Sequence, residues 1–558
     1  MTRSAIRPLA ALGAFLLLPA LGGAQMSQPL PLKYVGKPTT PAITAADAMT
    51  RLYIFADDSM MGRATGTPYQ IKGTEYIAAE AKRMGLLPAG ENGGWFQNIG
   101  LFDRKIAASS KVTAGGHDFM TGPDLLFRDD GPMQRSYAGA QAVYGGVFTP
   151  DGSQLISPAE AAGKVVVITV PTGWQANRGG LVQRYFTAAA IVIASYDAMP
   201  ADVRTQLGES SSYQKGGDDG PALPSFFYAT KAAAQAIMGA SLDGMAKGTA
   251  GTTLGGSFSY DETQALGRNV VAVLPGSDPK LKNEYVAFGA HNDHIGFTNQ
   301  PVDHDSLRAY NTVVRPGGAE DPDRNPSAAE WVRIHSMIDS LRRIHPPRPD
   351  SINNGADDDG SGTVGLLEIA ENFASAKVKP KRSLLFVWHA GEELGMLGSG
   401  WYTDHPTVPR DSIVAQLNID MIGRGGPEDI KGGKPGFVQL IGSKRLSTEL
   451  GNIVEQVGAS AVPAFTFDYT FDSNGNPNQY YCRSDHYEYA RYGIPITFFS
   501  TGGHRDYHQV TDEPQYIDYA QLARTAQLVH DVGQRVANLD HRVVVDHPKP
   551  DPKAPCRQ

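Results

Sequence analysis

Short apolar runs alternate with helical stretches over the second half of the chain. The runs at 269–274, 285–290, 383–388, 413–419 and 494–500 are nearly continuous, which is typical of strands buried on both faces. Between and after them, apolar residues recur at helical spacing over 362–373 and 520–539. This alternation predicts an α/β fold with a mixed, mostly parallel central sheet flanked by helices.

The first half of the chain has a different pattern. Helical patterning is present at 45–55 and 69–84, and from 126 to 256 short apolar runs are separated by turns rich in Gly and Ser. We interpret 126–256 as a small β-rich domain, with one or two helices, inserted into a discontinuous main domain over 45–125 and 257–540. The pattern of apolar runs alone leaves open the alternative that this stretch is part of the main core.

Two further segments depart from the main pattern. Residues 300–352 are polar and rich in Pro, with one predicted helix near 328–343, and they interrupt the α/β alternation as a long insertion. Because this insertion adjoins the motifs described below, we expect it to shape a substrate cleft. The tail at 541–558 is predicted to be loose.

Residues 1–24 have the pattern of a signal peptide. Arg3 and Arg7 precede an apolar run over 10–21, and small residues at 22–24 suit cleavage before Gln25. The run is too short for a comfortable membrane span, so we expect an exported protein, periplasmic or extracellular, without a stable membrane anchor. An uncleaved anchor is the alternative.

Composition narrows the possible functions and the possible sites. The 558 residues are enough for two or three domains, and the net charge of -8 without a basic patch argues against nucleic-acid binding. Cys482 and Cys556 are the only cysteines, so any metal must be held by His and carboxylates. The two could pair in an oxidising compartment.

Potential metal ligands follow the apolar strands. They are His291-Asn292-Asp293-His294, the stretch from His389 to Glu393, Asp420, Tyr507-His508, and an Asp-rich loop at 355–362 that opens a helix. Sites in open α/β sheets form at the carboxyl ends of the strands, where these residues would meet. Converging carboxylates would repel each other unless metal cations lay between them.

The residue types suit a site with two metal ions. Three carboxylates and one hydroxide balance the charge of two zinc ions, and one carboxylate and one water can bridge ions that lie about 3.5–4 Å apart. Adjacent Glu392 and Glu393 point in different directions, so one can bind metal while the other transfers protons. The Asp-rich loop does not fit the calcium-loop pattern, because no Glu follows at the required position.

The ordered motifs resemble metallopeptidase family 28, the co-catalytic di-zinc aminopeptidases. They are Gly-Ala-His291-Asn-Asp293-His-Ile-Gly, Gly-Ala-Asp-Asp358-Asp-Gly-Ser-Gly, Gly-Glu392-Glu393-Leu-Gly-Met-Leu-Gly-Ser, Leu-Asn-Ile-Asp420 and Tyr507-His508. The stretches at 57–63 and 484–486 are also similar. The resemblance covers roughly 45–125 and 257–540, and it implies the zinc-exopeptidase (phosphorylase/hydrolase-like) fold. The middle stretch, 126–256, resembles a protease-associated domain.

The resemblance implies a role for each site residue. Asp358 would bridge the two zinc ions, although the choice among Asp357, Asp358 and Asp359 stays open. His291 and Asp420 would bind one ion, and Glu393 and His508 the other. Glu392 would be the general acid and base. Asp293 would orient His291, and Tyr507 would donate a hydrogen bond to the oxyanion. His294, His389 and His504 are expected to support or pack against the site.

The implied activity is removal of N-terminal residues from peptides or proteins with a free amino end, by a hydroxide that bridges two zinc ions. Co²⁺ or Mn²⁺ could replace zinc with these ligands. Three alternatives keep the fold. They are a carboxypeptidase using Arg424, Arg483, Arg491 or Arg505, a one-zinc glutaminyl cyclase, and a receptor-like binding protein whose site has decayed. The last two predict missing ligands, and none is missing here.

Overall fold

The computed structural model describes residues 30–128, 134–171, 177–208, 211–215, 222–322 and 324–558. The predicted signal peptide at 1–24 lies outside these residues. Within them, no helix combines the length and the apolar character that crossing a membrane requires.

A nine-stranded mixed sheet forms the centre of the fold, which confirms the predicted class. Its strands, in chain order, are Leu87–Pro88 (β1), Phe96–Asn98 (β2), Arg268–Leu274 (β3), Tyr285–His291 (β4), Ser383–His389 (β5), Ile413–Ile419 (β6), Phe437–Ile441 (β7), Thr466–Asp468 (β8) and Ile496–Ser500 (β9). The five predicted strands are all present. The pattern did not indicate β1, β2 and β8, which have two or three residues each, or β7, which has five.

The order of the strands brings the predicted ligands to one edge. The sheet runs β1-β3-β5-β4-β6-β9-β7-β8, with β2 also paired to β3. The four central strands β5, β4, β6 and β9 are mutually parallel. The antiparallel pairs are formed with strands outside this group. β3 pairs with β5, β7 pairs with β9, and both β1 and β2 pair with β3. The predicted parallel arrangement therefore holds for the strands that carry the ligands.

Both faces of the sheet are covered, because alternate side chains of each strand point to opposite sides. In β3, Val270 and Ala272 enter one hydrophobic cluster and Val271 enters the other. The larger cluster lies beneath the helices Ala45–Phe55, Pro68–Arg83, Gly362–Ser375, Thr448–Ser460 and Tyr519–Ala537. The other lies beneath Leu397–Asp404 and His486–Ala490. Burial on both faces explains why these strands are nearly all apolar.

The predicted β-rich unit at 126–256 contains several strands, and strands on both sides of it join their sheets. Its largest sheet has the order Ala250–Thr253, Gln141–Val147, Val165–Thr169, Ala190–Ala194, Ser225–Ala229 and Leu125–Arg128. Two three-stranded sheets adjoin it, made of Ser211–Gln214, Leu101–Ile106 and Tyr260–Gln264, and of Gly255–Ser257, Lys111–Ala114 and His117–Met120. The helices of the unit are Pro158–Ala161, Arg178–Arg184, Ala201–Leu207 and Lys231–Met238. Strands that pair with one another thus extend from 101 to 264, past both ends of the predicted segment.

The 300–352 insertion is a helical hairpin on a two-stranded base. Strand Phe297–Asp303 pairs antiparallel with Pro349–Ile352, and the helices His304–Val314 and Ala328–Arg342 lie between them. The pattern predicted only the second helix. The first was missed because polar side chains interrupt its few buried apolar positions, Ala309, Val313 and Val314.

The predicted loose tail at 541–558 is instead held against the main domain. Cys556 forms a disulfide with Cys482. Asp546 accepts a hydrogen bond from the Thr448 amide at 2.9 Å, and the side chain of Gln558 accepts one from the Tyr481 amide at 3.0 Å. Covalent and polar contacts thus anchor a segment whose Pro-rich sequence forms no helix or strand.

Candidate metal centre

The parallel strands position four parts of the site. His291 is the last residue of β4, Asp420 follows β6 directly, Glu392 and Glu393 follow β5, and His508 lies in the loop after β9. Because the carboxyl ends of these strands lie at one edge, side chains far apart in sequence meet there.

The Asp-rich loop crosses the same edge. Ala356–Ser361 forms a turn of π-helix immediately before the helix Gly362–Ser375. Gly355, which precedes the turn, has a φ of 54°, and a Cβ at this position would lie 2.3 Å from the carbonyl oxygen of Asp358. Only glycine permits this close approach.

Asp358 lies between two histidines. Its Oδ1 is 3.2 Å from Nε2 of His291, and its Oδ2 is 3.1 Å from Nε2 of His508. Each carboxylate oxygen therefore faces a different imidazole, as a bridging ligand requires.

Two groups of potential ligands share Asp358. The first consists of His291, Asp358 and Asp420, and the second of His294, Asp358, Glu393 and His508, with the ligand atoms of each group within 4.8 Å of one another. In the first, Nε2 of His291 lies 3.7 Å from Oδ1 of Asp420. In the second, Nε2 of His508 lies 3.0 Å from Oε2 of Glu393. The structure thus brings together all five residues predicted as metal ligands.

Backbone amides decide which aspartate of the loop faces the histidines. Oδ1 of Asp357 accepts a hydrogen bond from the Gly423 amide at 2.6 Å. The carboxylate of Asp359 accepts from the amides of Met421 and His291, both at 3.1 Å. Asp357 and Asp359 therefore brace the loop, which leaves Asp358 to face the site.

Asp293 and Glu392 lie where the sequence predicts them. Nδ1 of His291 is 3.1 Å from the carbonyl oxygen of Asp293 and 3.6 Å from its Oδ1, so a proton held on Nδ1 leaves the lone pair of Nε2 facing Asp358. The same Asp293 carboxylate accepts the Glu392 amide at 3.3 Å. Oε2 of Glu392 lies 4.0 Å from Nε2 of His291, beside both groups.

His294 is closer to the site than a packing role would place it. Its Nδ1 is 2.7 Å from Oε1 of Glu393, opposite the oxygen that faces His508. His389 and His504 lie one layer further out, where Nε2 of His389 is 3.0 Å from the hydroxyl of Tyr489 and Nε2 of His504 is 3.4 Å from Oδ2 of Asp357.

Three supporting residues had no predicted role. Ser484 donates to Oδ2 of Asp420 at 2.8 Å, and Asp512 accepts the amides of Asp357 and Asp358 at 3.0 and 3.1 Å. Arg63 is fully buried and donates to the carbonyl oxygens of Asn354 and Gly355, at 2.7 and 2.9 Å. The only sequence signal was the resemblance of the stretches at 57–63 and 484–486, which named no role.

The charges of the site perturb one another strongly. Burial opposes protonation of His291, but its carboxylate partners raise the pKa of this imidazole well above its usual value. Burial lowers the pKa of His508, but the carboxylates of Asp358 and Glu393 raise it by more, to about 10. Burial, with the neighbouring charges of Asp420 and Glu393, raises the pKa of Glu392 well above that of an ordinary carboxyl.

The donor set fits divalent metal ions. Nε2 of His291 and Nε2 of His508 are shielded from solvent and have no hydrogen-bond partner among the described residues. Both face carboxylate oxygens, and leaving such buried polar groups unsatisfied costs free energy. Imidazole nitrogens and carboxylate oxygens are ligands that zinc accepts.

A cavity of about 50 Å³ opens onto the ligands. Its walls include Asp358, Glu392 and Asp420 together with the side chains of Met421, Phe498 and Tyr507. The ring of Tyr507 stacks on that of His508, with centroids 3.9 Å apart. Ala319 of the insertion also lines the cavity, and its amide donates to the Gly503 carbonyl at 2.9 Å.

The four arginines of the carboxypeptidase alternative differ in position. Arg424 pairs with Asp429 and Asp506, and Arg491 pairs with Asp404 and Glu488. Within the described chain, Arg483 is the one of the four that lines the cavity.

Comparisons with known proteins identify similar peptidases. The chain is 40% identical to leupeptin-inactivating enzyme 1 of Streptomyces exfoliatus over 81 residues, which are 14% of this chain and 18% of that protein. It is 27% identical to a probable leucine aminopeptidase of Arthroderma otae over 216 residues, 36% of this chain and 49% of that protein. The chain thus spans half or less of the length of these relatives.

Among solved structures, an aminopeptidase from Aneurinibacillus sp. strain AM-1 matches 91% of this chain and 97% of its own, with a TM-score of 0.46 and 16% identity. The family model for peptidase family M28 matches residues 269–533. Every residue predicted for the site lies in that segment. Residues 269–533 of this chain therefore belong to peptidase family M28.

Proposed function

We propose that the protein is an exported, zinc-dependent aminopeptidase that removes N-terminal residues from peptides and binds two zinc ions. The observation that carries this proposal is the position of Asp358, whose two oxygens face two separate groups of ligands. His291, Asp358 and Asp420 would hold one ion, and Asp358, Glu393 and His508 the other.

Zinc at such a site supplies a Lewis acid and lowers the pKa of water toward about 7. His294 supports this arrangement from outside, because its contact with Oε1 of Glu393 fixes the carboxylate whose other oxygen faces His508.

Glu392 is the proposed general base and acid. It lies on the cavity wall beside both ligand groups, and its amide is held by Asp293. Burial and nearby carboxylates raise its pKa, which suits a group that takes a proton from the attacking water and returns it to the leaving amine near neutral pH.

Tyr507 is the proposed donor to the oxyanion. Burial, with the charges of Asp358 and Glu393, raises the pKa of its hydroxyl far above the usual value, so the group stays protonated and able to donate. Its place on the cavity wall beside His508 supports this role.

The acids of the cavity favour a substrate with a free amino end. Asp420 and Glu392 can both accept from an α-ammonium group. Met421 and Phe498 offer apolar contacts for the first side chain. The insertion, through Ala319, closes one side and suits short chain ends better than internal segments of a folded protein.

Arg483 supports a second candidate, a carboxypeptidase on the same fold. Its guanidinium shares the cavity with Glu392 and could pair with a substrate carboxylate. The two candidates differ in the end of the peptide that must be free.

The disulfide supports export. Such bonds persist in oxidising compartments, and the pair Cys482–Cys556 agrees with the signal-peptide pattern at 1–24. The mass of the protein recovered outside the cytoplasm should match a chain that starts at Gln25. An intact amino terminus on cell-associated protein would argue against export by cleavage.

The test of the activity uses zinc-loaded protein and one peptide in three forms, with both ends free, with an acetylated amino end, and with an amidated carboxyl end. Mass spectrometry follows the products. Stepwise loss from the amino end, blocked only by acetylation, supports the aminopeptidase. Loss from the carboxyl end, blocked by amidation and weakened in Arg483→Gln, would replace it with the carboxypeptidase.

A further inference from the structure

A second cluster of potential metal ligands lies at the base of the 300–352 insertion, apart from the candidate catalytic site. It consists of His304, Asp350 and Glu513, whose ligand atoms lie within 4.8 Å of one another. His304 begins the first helix of the hairpin, Asp350 lies in the returning strand, and Glu513 lies in the loop after β9. Three separate segments thus meet at one point.

His304 is the least satisfied member of this cluster. Its side chain is fully buried, and neither ring nitrogen has a hydrogen-bond partner among the described residues. Nε2 lies 2.8 Å from Oε2 of Glu513 but outside hydrogen-bond geometry, and Nδ1 is 3.6 Å from Oδ1 of Asp305. A buried imidazole without hydrogen bonds is costly, and a metal ion at Nε2 would remove that cost.

The charges around the cluster leave room for a cation. Arg342 pairs with Asp305 at 2.9 Å, and Arg348 lies 3.2 Å from Oε2 of Glu513. Asp350 forms no ion pair within 4 Å among the described residues. Its Oδ1 accepts a hydrogen bond from the Ile352 amide at 3.1 Å. The carboxylate of Asp350 therefore adds a negative charge beside Glu513, and neither Arg342 nor Arg348 forms an ion pair with it.

The cluster is also accessible. Asp350 and Glu513 line a cavity of about 420 Å³ whose walls also include Asp57 and Asp58. Lys33 pairs with Asp57 and Asp58 in this cavity, at 2.9 and 3.1 Å. An ion has an entry path through the cavity to Asp350 and Glu513, while His304 lies behind it.

We propose that His304, Asp350 and Glu513 bind a third divalent ion of the zinc type, which fastens the insertion to the loop that carries His508. One nitrogen and two carboxylate oxygens form a donor set that zinc accepts, with further positions left for water. The nitrogen donor favours zinc or a similar transition metal over calcium or magnesium.

This ion would also stabilise the site indirectly. Glu513 adjoins Asp512, whose carboxylate accepts the amides of Asp357 and Asp358. The insertion contributes Ala319 to the cavity wall. A metal ion at the base of the hairpin would therefore hold in place both the cavity wall and the loop that carries Asp358.

The test measures zinc per chain by inductively coupled plasma mass spectrometry after dialysis against buffered zinc. We expect about three ions in the wild type, one fewer in Asp350→Asn and in His304→Asn, and no change in Asp58→Asn, an acid of the same cavity outside the cluster. Asp350 is only partly buried, so its variant should fold even if the His304 variant does not.

The Asp358→Asn background separates this proposal from the proposed catalytic site. With the bridging ligand removed, added zinc should still raise the melting temperature, and the further change Asp350→Asn should abolish that rise. An unchanged zinc content in Asp350→Asn, together with no thermal response in Asp358→Asn, would overturn the third site and leave His304–Glu513 as an ion pair. Retention of every ion in Asp358→Asn would instead count against the catalytic pair alone.

Discussion

Among single residues, adjacent glutamates at 392 and 393 occupy different positions. Glu393 points between His294 and His508, whereas Glu392 stands on the cavity wall with its amide fixed by Asp293. Because neighbouring side chains leave the backbone in different directions, one glutamate can bind metal and the other can face substrate. Their substitutions should therefore have different effects.

Glu392→Gln should lower kcat by about 10²–10⁴-fold, because it removes proton transfer while keeping the size of the side chain. Its zinc content should stay at the wild-type level. Glu393→Gln, the matched control, should lose zinc and activity together. A Glu392→Gln enzyme that keeps wild-type kcat would show that another group transfers the proton.

Among the elements, we expect the helical hairpin of the insertion to influence substrate choice. The segment between its two helices includes Ala319, which is hydrogen-bonded to Gly503 and forms part of the cavity wall. A larger side chain at this position would occupy space beside Met421 and Phe498.

Ala319→Phe should therefore raise KM for substrates with a large first residue by roughly tenfold or more, in line with lost contacts of about 1–3 kcal/mol. Substrates that begin with Ala should be affected less, and kcat for them should be retained. Ala328→Phe, the same change at an exposed position of the same insertion, is the control. Equal effects on all substrates would place the hairpin outside the specificity pocket.

The chain terminus is a second element whose contribution can be measured. The disulfide between Cys482 and Cys556 closes a loop over a sequence separation of 74 residues. The double variant Cys482→Ser/Cys556→Ser should lower the free energy of unfolding by about 2–4 kcal/mol, because the unfolded chain gains freedom. Denaturant unfolding with and without reductant measures this. If reductant lowers the free energy of unfolding of the double variant as much as that of the wild type, the effect of reductant does not come from the disulfide.

Across the entire fold, the sheet gathers charges that destabilise one another. The edge of β4, β5, β6 and β9 collects Asp358, Glu393 and Asp420 with three imidazoles. Zinc held as proposed would bind only the native state, so it should contribute about 4 kcal/mol of stability when free zinc exceeds Kd by 1,000-fold.

Chelation should accordingly lower the melting temperature, and restoring zinc should recover it. Because the pKa of metal-free His508 is raised to about 10, protons compete with zinc below that value. Apparent zinc affinity should therefore rise with pH by up to about tenfold per unit toward pH 10. Titration against a chelator at several pH values measures this slope, and a flat profile between pH 6 and 8 would contradict the role of His508 as a ligand.

The apolar patterning was sufficient to predict the central strands and the major helices, because burial on both faces requires continuous apolar runs. The positions of His291, Glu393, Asp420 and His508 after those strands, or in the loop that follows them, predicted a shared edge. The first hairpin helix and the anchored tail were not predicted. Their stability comes from contacts with distant residues, such as Arg342 with Asp305 and Cys556 with Cys482, rather than from a periodic pattern.

Sequence alone therefore specified which chemical groups reach the edge of the sheet, since residue type and strand direction are local properties. It did not specify which carboxylate of the Asp-rich loop faces the histidines, because distant amides of Gly423, Met421 and His291 engage Asp357 and Asp359 and leave Asp358. The contact of His294 with Glu393 and the meeting of His304 with Asp350 and Glu513 likewise depend on packing between segments far apart in the chain. Such contacts exist only once the segments are folded together.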